Sequence, residues 1–174
     1  MEFKERTVSS EYLFKGRIIS LKKDQILLPN GKTGEREVIE HSGGACVLCE
    51  KDGKICLVRQ FRYPYGETVL ELPAGKINDG EDHKQTAIRE LEEECGYRAD
   101  DVKLLFTIYP TPGYTNEKIY IYQAIGLTKT NTHPDEDEFV ETVWIDKDTL
   151  KTMIQMGEIK DGKTLIALLW TLNK

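Results

Sequence analysis

Between Asp82 and Cys95 the chain changes from strand-like runs to a helical period, and the stretch ends at Gly96. No other segment restricts the fold as tightly. With Glu90 set at zero and about 100° per residue, Glu94 falls at about +40°, Glu93 at about −60° and Arg89 at about −100°. Ala87, Leu91, Cys95 and Ile88 fall between about +60° and +160°. The helix therefore has an apolar stripe for a core and, beside it, a face holding three carboxylates and one guanidinium. Glu92, at about +200°, points elsewhere, toward solvent. Asp82 with Gln85 three residues on has the spacing of a capping box, and Gly96 is placed to end the helix in a left-handed conformation.

Strand-like runs surround this helix. Gly16 to Leu28 alternates loosely, Pro29-Asn30-Gly31-Lys32 is a hairpin signal, and Glu35 to His41 is the returning strand. Cys46 to Glu50 and Lys54 to Phe61 flank a turn at Lys51-Asp52-Gly53, with a shorter apolar run from Thr68 to Leu72. Lys103 to Tyr109, Glu117 to Gly126 and Phe139 to Ile145 are rich in Ile, Tyr, Val and Phe and read as strands. Thr128 to Glu138 is a polar, acidic loop long enough to be functional. Short helices are expected over Lys147 to Met156 and Lys163 to Leu172. Strands around one helix, with helices at the end, predict an α+β domain in which helices pack on a mixed sheet.

The 174 residues carry 24 Lys and Arg against 30 Asp and Glu, a net charge of −6. That balance argues against nucleic acid as a partner, which requires a positive face. No apolar run approaches the roughly 20 residues that cross a bilayer, and Met1 to Arg6 has no apolar core of a secretory signal. A cytoplasmic location is expected. Cys46 and Cys49 have CxxC spacing, but an odd separation in a strand puts them on opposite faces. With no second pair to complete a zinc site, the four cysteines read as buried thiols in a reducing compartment.

A Glu-rich helix face is usually solvated. Yet like charges four residues apart destabilise a helix by a few tenths of a kcal/mol each, and here Glu90, Glu93 and Glu94 have only Arg89 nearby. The crowding becomes favourable around Mg²⁺, which prefers carboxylate and water oxygens. Geometry alone leaves metal site and solvated face equally open.

The flanking sequence bears on that choice. Gly75 is followed after five residues by Glu81, and after seven more by Arg89-Glu90-Leu91-Glu92-Glu93-Glu94-Cys95-Gly96-Tyr97. This spacing resembles the Nudix box, the signature of hydrolases that cleave nucleoside diphosphates linked to another moiety. Every polar and glycine position is filled. Tyr97 stands where the family has an aliphatic residue, a packing position.

The resemblance implies the Nudix fold, an α/β/α sandwich with a mixed β-sheet, over residues 42–174. An N-terminal β-rich segment over residues 1–41 is implied to dimerise and to carry substrate contacts. It implies metal ligation by Glu90, Glu94 and the Ala74 carbonyl, with Glu93 close by and Arg89 orienting the carboxylates; Mg²⁺ is expected, Mn²⁺ possible. The loop His133-Pro134-Asp135-Glu136-Asp137-Glu138 resembles the one that supplies the general base in ADP-ribose pyrophosphatases. Glu136 is the first choice for that role and Glu138 the second metal ligand or alternate base. Leu72-Pro73-Ala74-Gly75, Gln60-Phe61-Arg62 and Pro112, fifteen residues past Tyr97, are similar to the same branch. Arg36 and Arg62 are implied phosphate contacts, since guanidinium forks suit phosphate oxygens. Tyr12 or Phe14 is a candidate for base stacking.

The expected activity is Mg²⁺-dependent hydrolysis of a nucleoside diphosphate sugar, ADP-ribose first, by a homodimer. ADP-glucose or GDP-mannose is the alternative substrate. A non-catalytic nucleotide-sugar sensor is the alternative of another class.

Overall fold

The computed structural model describes residues 3–134 and 138–173. Two compact units emerge. One comprises the chain up to Gly43 together with Tyr109–Lys118; the other comprises Gly44–Ile108 and the chain from Ile119 onward.

The first unit is a three-stranded antiparallel sheet of β1 (Arg6–Lys15), β2 (Ser20–Leu27) and β3 (Thr33–Glu40), in that order. The hairpin expected at Asn30-Gly31 joins β2 to β3. Leu28 N–H bonds the Lys32 carbonyl at 2.8 Å, and the Asn30 side chain accepts from Lys32 N–H at 3.0 Å. β1 is exposed along its whole length. Having no buried face to impose alternation, it leaves no strand signature in the sequence. Ile39 bonds across to the 109–118 loop, donating to the Tyr114 carbonyl at 2.7 Å and accepting from Asn116 N–H at 3.1 Å.

The second unit is a mixed sheet with helices on both faces. Its strands are β4 (Gly44–Lys51), β5 (Lys54–Arg62), β6 (Glu67–Glu71), β7 (Ala74–Lys76), β8 (Tyr97–Ile108), β9 (Ile119–Lys129) and β10 (Val140–Asp146). The main order is β10-β5-β4-β9-β8, with β6 paired to β5 and β7 to β4. The β4–β9 pairing is parallel; every other pairing of named strands is antiparallel. The helices are α1 (His83–Cys95), α2 (Lys147–Gln155) and α3 (Gly162–Leu172).

β4 is covered on both sides, which is why it reads as an unbroken apolar run. Ala45, Val47 and Cys49 pack with Ala87, Leu91 and Cys95 of α1. Cys46 and Leu48 pack with Leu150 of α2 and Ala167 and Leu168 of α3. Cys46 and Cys49 thus lie on opposite faces, as the strand period requires. Cys49 stands opposite Cys56, whose thiol is held protonated by hydrogen bonding to Cys49 and Cys95 and by burial. All four cysteines are free and buried. Tyr97 meets Trp144 edge-on with ring centroids 5.3 Å apart, the packing role expected of that position. Among the described residues, no helix is long and apolar enough to cross a membrane.

One local irregularity places the site. β4 is shared: its first three residues pair with β7 and its last three with β5. At the division Val47 N–H bonds the Pro73 carbonyl at 3.0 Å. The chain from β6 to β7 therefore crosses alongside β4 and delivers Ala74 and Gly75 against α1.

Candidate active site

α1 begins where expected, with Asp82 as its N-cap. The Asp82 carboxylate accepts from Lys84 N–H at 2.8 Å rather than closing a reciprocal box with Gln85. Gly96 ends the helix at φ 66°, its N–H bonded to the Glu92 carbonyl at 2.9 Å. His83, the first helical residue, stacks on Tyr120 at 3.9 Å and bonds the Tyr122 hydroxyl, pinning the helix start to β9.

Two of the three carboxylates on the acidic face are withdrawn from solvent. Glu90 and Glu94 are 5% and 3% exposed, close to the 0% of their core neighbour Leu91. The β7 crossing covers them. Ala74 N–H donates to Glu94 Oε2 at 2.9 Å. Glu90 packs against the Gly75 backbone so closely that a Cβ there would lie 1.8 Å from Glu90 Oε1. The first glycine of the box is thus explained by close approach, not by an unusual dihedral.

Arg89 organises the rest. Its Nη1 bonds Glu90 at 2.7 Å and Glu93 at 2.6 Å, while Nε and Nη2 bond the two Glu81 oxygens at 2.9 and 3.2 Å. Arg89 pulls Glu81 down to about 2, and that ion pair in turn raises Arg89 further. Glu81, a filled box position with no role assigned from sequence, is therefore the anchor of Arg89. Glu92 takes no part in the cluster.

Burial pushes Glu90 up to about 7; Arg89 opposes the rise, and Glu93 and Glu138 add to it. Burial also pushes Glu94 up to about 8, opposed by the Ala74 N–H and Arg62 and reinforced by Glu90 and Glu138. Glu138 is thus near enough to act on both carboxyls. The segments flanking its loop are tied to the end of α1. His133 N–H donates to the Glu93 carbonyl at 2.9 Å, and the Thr142 hydroxyl to the Glu94 carbonyl at 2.8 Å. His133 serves through its backbone, consistent with a turn residue. Glu136 lies outside the described residues.

Arg62, at the end of β5, forms a fork with Glu71: Nε to Oε1 at 2.5 Å and Nη2 to Oε2 at 2.8 Å. Two further expected substrate residues belong to the first unit. Arg36 bonds Glu5 through Nε at 3.0 Å and also through Nη2, and its Nη1 bonds the Glu35 carbonyl. Pro112 lies in the 109–118 loop, where Thr115 N–H reaches the Thr111 carbonyl at 3.3 Å. The Tyr12 hydroxyl donates to Glu40 at 2.9 Å, and the Tyr12 and Phe14 rings are exposed.

Among the described residues, no three His, Cys, Asp or Glu side chains converge to hold an ion unaided. The donor set still fits a hard divalent cation. Two buried carboxylates whose charge is poorly compensated lie beside the Ala74 backbone, and such ions leave several positions to water and substrate oxygens.

Comparison with known proteins identifies the family. The NUDIX domain pattern matches residues 40–168, and the nucleoside diphosphate sugar hydrolase N-terminal domain matches residues 5–39. The chain belongs to the NUDIX family and is a hydrolase of it. It is 40% identical over 169 residues to a methanol dehydrogenase activator of Bacillus methanolicus, covering 95% of this chain and 91% of that one. It is 38% identical over 167 residues to an ADP-ribose pyrophosphatase of Bacillus subtilis, covering 94% and 90%. A GDP-mannose pyrophosphatase of Yersinia pestis is 33% identical over 150 residues, 76% of this chain and 72% of that protein. A crystal structure of an ADP compounds hydrolase superposes with a TM-score of 0.83 at 22% identity, covering 95% of this chain and 91% of that one, which shows the shared fold.

Two expectations follow. In Gly75→Ala the new methyl must displace the Glu90 carboxylate, so turnover should fall by about a hundredfold or more while circular dichroism stays native; a fully active variant would show that Glu90 need not sit there. The second concerns pH. The ordinary value for both carboxyls is 4.5, and the folded values are about 7 and about 8. Between those limits the native state holds more protons than the unfolded one, so metal-free stability falls as pH rises. The melting temperature without metal should drop from about pH 5 to about pH 8, the drop should shrink in the Glu90→Gln/Glu94→Gln variant, and Mg²⁺ should restore more at the upper end. A profile identical in both proteins would contradict the burial argument.

Proposed function

We propose that the chain hydrolyses the diphosphate of nucleoside diphosphate sugars, ADP-ribose first, releasing AMP and ribose 5-phosphate. The observation that carries this reading is the pair Glu90 and Glu94, buried against Ala74 and Gly75 with Glu138 acting on both.

Glu90, Glu94 and the Ala74 carbonyl are the residues to hold divalent cations, Mg²⁺ first and Mn²⁺ as the alternative. Such ions, when bound, neutralise the diphosphate and acidify water. Arg89 and Glu81 fix the carboxylates in place, so no reorganisation is needed as charge develops. Glu93 shares Arg89 Nη1 with Glu90 and helps hold that arrangement. Water adds to one phosphorus, the bridging P–O bond breaks, and the water proton passes to a carboxylate of the 135–138 loop. Glu136 is the first choice for that acceptor and Glu138 the alternate. Arg62 has Nη1 unused by Glu71 and is suited to a diphosphate oxygen. Arg36 and Pro112 are assigned to the substrate side of the first unit by family resemblance.

The Bacillus methanolicus relative is named for activating another enzyme, yet this chain retains both buried glutamates and the acidic loop, which favours turnover over sensing. Residues 1–41 are assigned to dimerisation and substrate contacts, and 42–174 to the hydrolase domain. Val8, Leu13, Phe14 and Ile18, all exposed, support a homodimer formed through the N-terminal segment. We place it in the cytoplasm, acting on a small nucleotide with no nucleic acid or membrane partner.

Incubation with ADP-ribose and Mg²⁺ should release AMP, with kcat/KM above that for ADP-glucose or GDP-mannose. Glu94→Gln should lower kcat by about a hundredfold or more with folding intact, and Glu136→Gln and Glu138→Gln separately identify the base. Absence of AMP with every nucleotide sugar defeats the reading. Light scattering after size exclusion should give a mass near twice the 19.9 kDa chain; a monomer would refute the dimer assignment.

A further inference from the structure

α2 and α3 open on the same four-residue device. Asp146 caps α2, its carboxylate accepting from Thr149 N–H at 2.8 Å and from the Thr149 hydroxyl at 2.7 Å. Asp161 caps α3 in the same way, accepting from Thr164 N–H at 3.0 Å and from the Thr164 hydroxyl at 2.6 Å. A helix start needs no more than this. Thr149 is exposed, as a cap residue commonly is. Thr164 is 0% exposed, and its hydroxyl has a second partner from far along the chain. Leu72 N–H donates to Thr164 Oγ1 at 2.8 Å.

The second bond falls on the segment that covers the acidic pair. β6 ends at Glu71 and β7 starts at Ala74, so Leu72 and Pro73 cross from one strand to the other outside the ladders. Pro73 has no N–H, and its carbonyl accepts from Val47 N–H. Leu72 is 0% exposed, and its N–H, cut off from water, requires an acceptor from elsewhere. Thr164 supplies it. The hydroxyl has one proton, which the acceptor-only Asp161 carboxylate takes, leaving a lone pair for Leu72. The fixed φ of Pro73 then stiffens the step to Ala74, whose N–H holds Glu94 at 2.9 Å. A parallel tie runs from Asp161 through Lys163 to Glu71.

We propose that Thr164 is a positioning residue for the hydrolase site. Through the Leu72 N–H it sets how Ala74 and Gly75 lie over α1, and with them Glu94 and Glu90. Without the hydroxyl, the Leu72 N–H must find another acceptor, and the crossing shifts to supply one. The inference rests on the reading of Glu90 and Glu94 as residues that hold divalent cations, and its test separates the two.

The full chain is compared with Thr164→Val, which keeps the shape and removes the acceptor, and with Thr164→Ser, which restores it. Thr164→Ala removes the hydroxyl without adding a methyl, and serves where the valine is not accommodated. Thr149→Val deletes the matching hydroxyl of α2. Mg²⁺ binding is measured by calorimetry without substrate, and exchange of the Leu72 amide by NMR. Kinetics with ADP-ribose accompany them.

Mg²⁺ affinity should fall about tenfold in Thr164→Val and Thr164→Ala, and Thr164→Ser should lie within about twofold of wild type. Leu72 exchange should quicken wherever the hydroxyl is lost. kcat should fall about tenfold with KM within about twofold, and Thr149→Val should match wild type in all of these. A cap that only stabilises α3 would lower the melting temperature of Thr164→Val and leave Mg²⁺ affinity and kcat unchanged, which overturns the proposal. Failure of serine to restore them, or an equal loss in Thr149→Val, also overturns it. Mg²⁺ binding that depends on the Thr164 hydroxyl, without hydrolysis of any nucleotide sugar, would defeat the substrate reading and leave the positioning role standing.

Discussion

The contact between Glu90 and the Gly75 backbone governs this structure. A carboxylate lying where a Cβ would otherwise stand can exist only if the chain crosses the helix with no side chain, and the crossing then removes Glu90 and Glu94 from water. Each buried carboxyl is costly without compensation. Arg89 supplies part of it for Glu90, and one backbone N–H supplies part of it for Glu94. What remains uncompensated is an affinity for positive charge, located where the fold leaves donor oxygens. Local instability and function are thus the same feature.

Around that contact the protein is rigid by chemistry of one kind, charged side chains held at two or more points. Arg89 is gripped by Glu81, Glu90 and Glu93; Arg62 by Glu71; Glu71 by Lys163; Lys163 by Asp161. Surface ion pairs contribute little to stability, but forks with a buried partner fix direction. The result is a 71–74 segment anchored to α1 through the Ala74 N–H and to α3 through Glu71 and the Leu72 N–H.

Much of this was legible in the chain. α1, its acidic face and its glycine stop follow from a short-range period, and hairpin β2–β3 from a dipeptide. The box spacing identifies the family because all its positions lie within 23 residues. The opposite faces of Cys46 and Cys49 follow from strand alternation alone. Other features left no local trace. The three-residue β7 is too short for a pattern. Glu71–Lys163 and Leu72–Thr164 join residues 92 apart, and the ties from His133 and Thr142 to α1 involve backbone carbonyls, which every residue carries. β8 begins at Tyr97, earlier than its apolar run suggests, because its first residues are held by backbone pairing with β9 while only Ala99 and Val102 among them are fully buried.

By itself, then, the amino-acid order determined which residues share a helix face, where that helix starts and stops, and which carboxylates are crowded together. Those properties depend on backbone geometry repeating over a few residues. Whether the crowded face meets water or protein was decided only when β4 divided its pairing between β5 and β7 and drew Ala74 and Gly75 over α1. Burial is a property of what arrives from elsewhere in the chain, and no local period can report it.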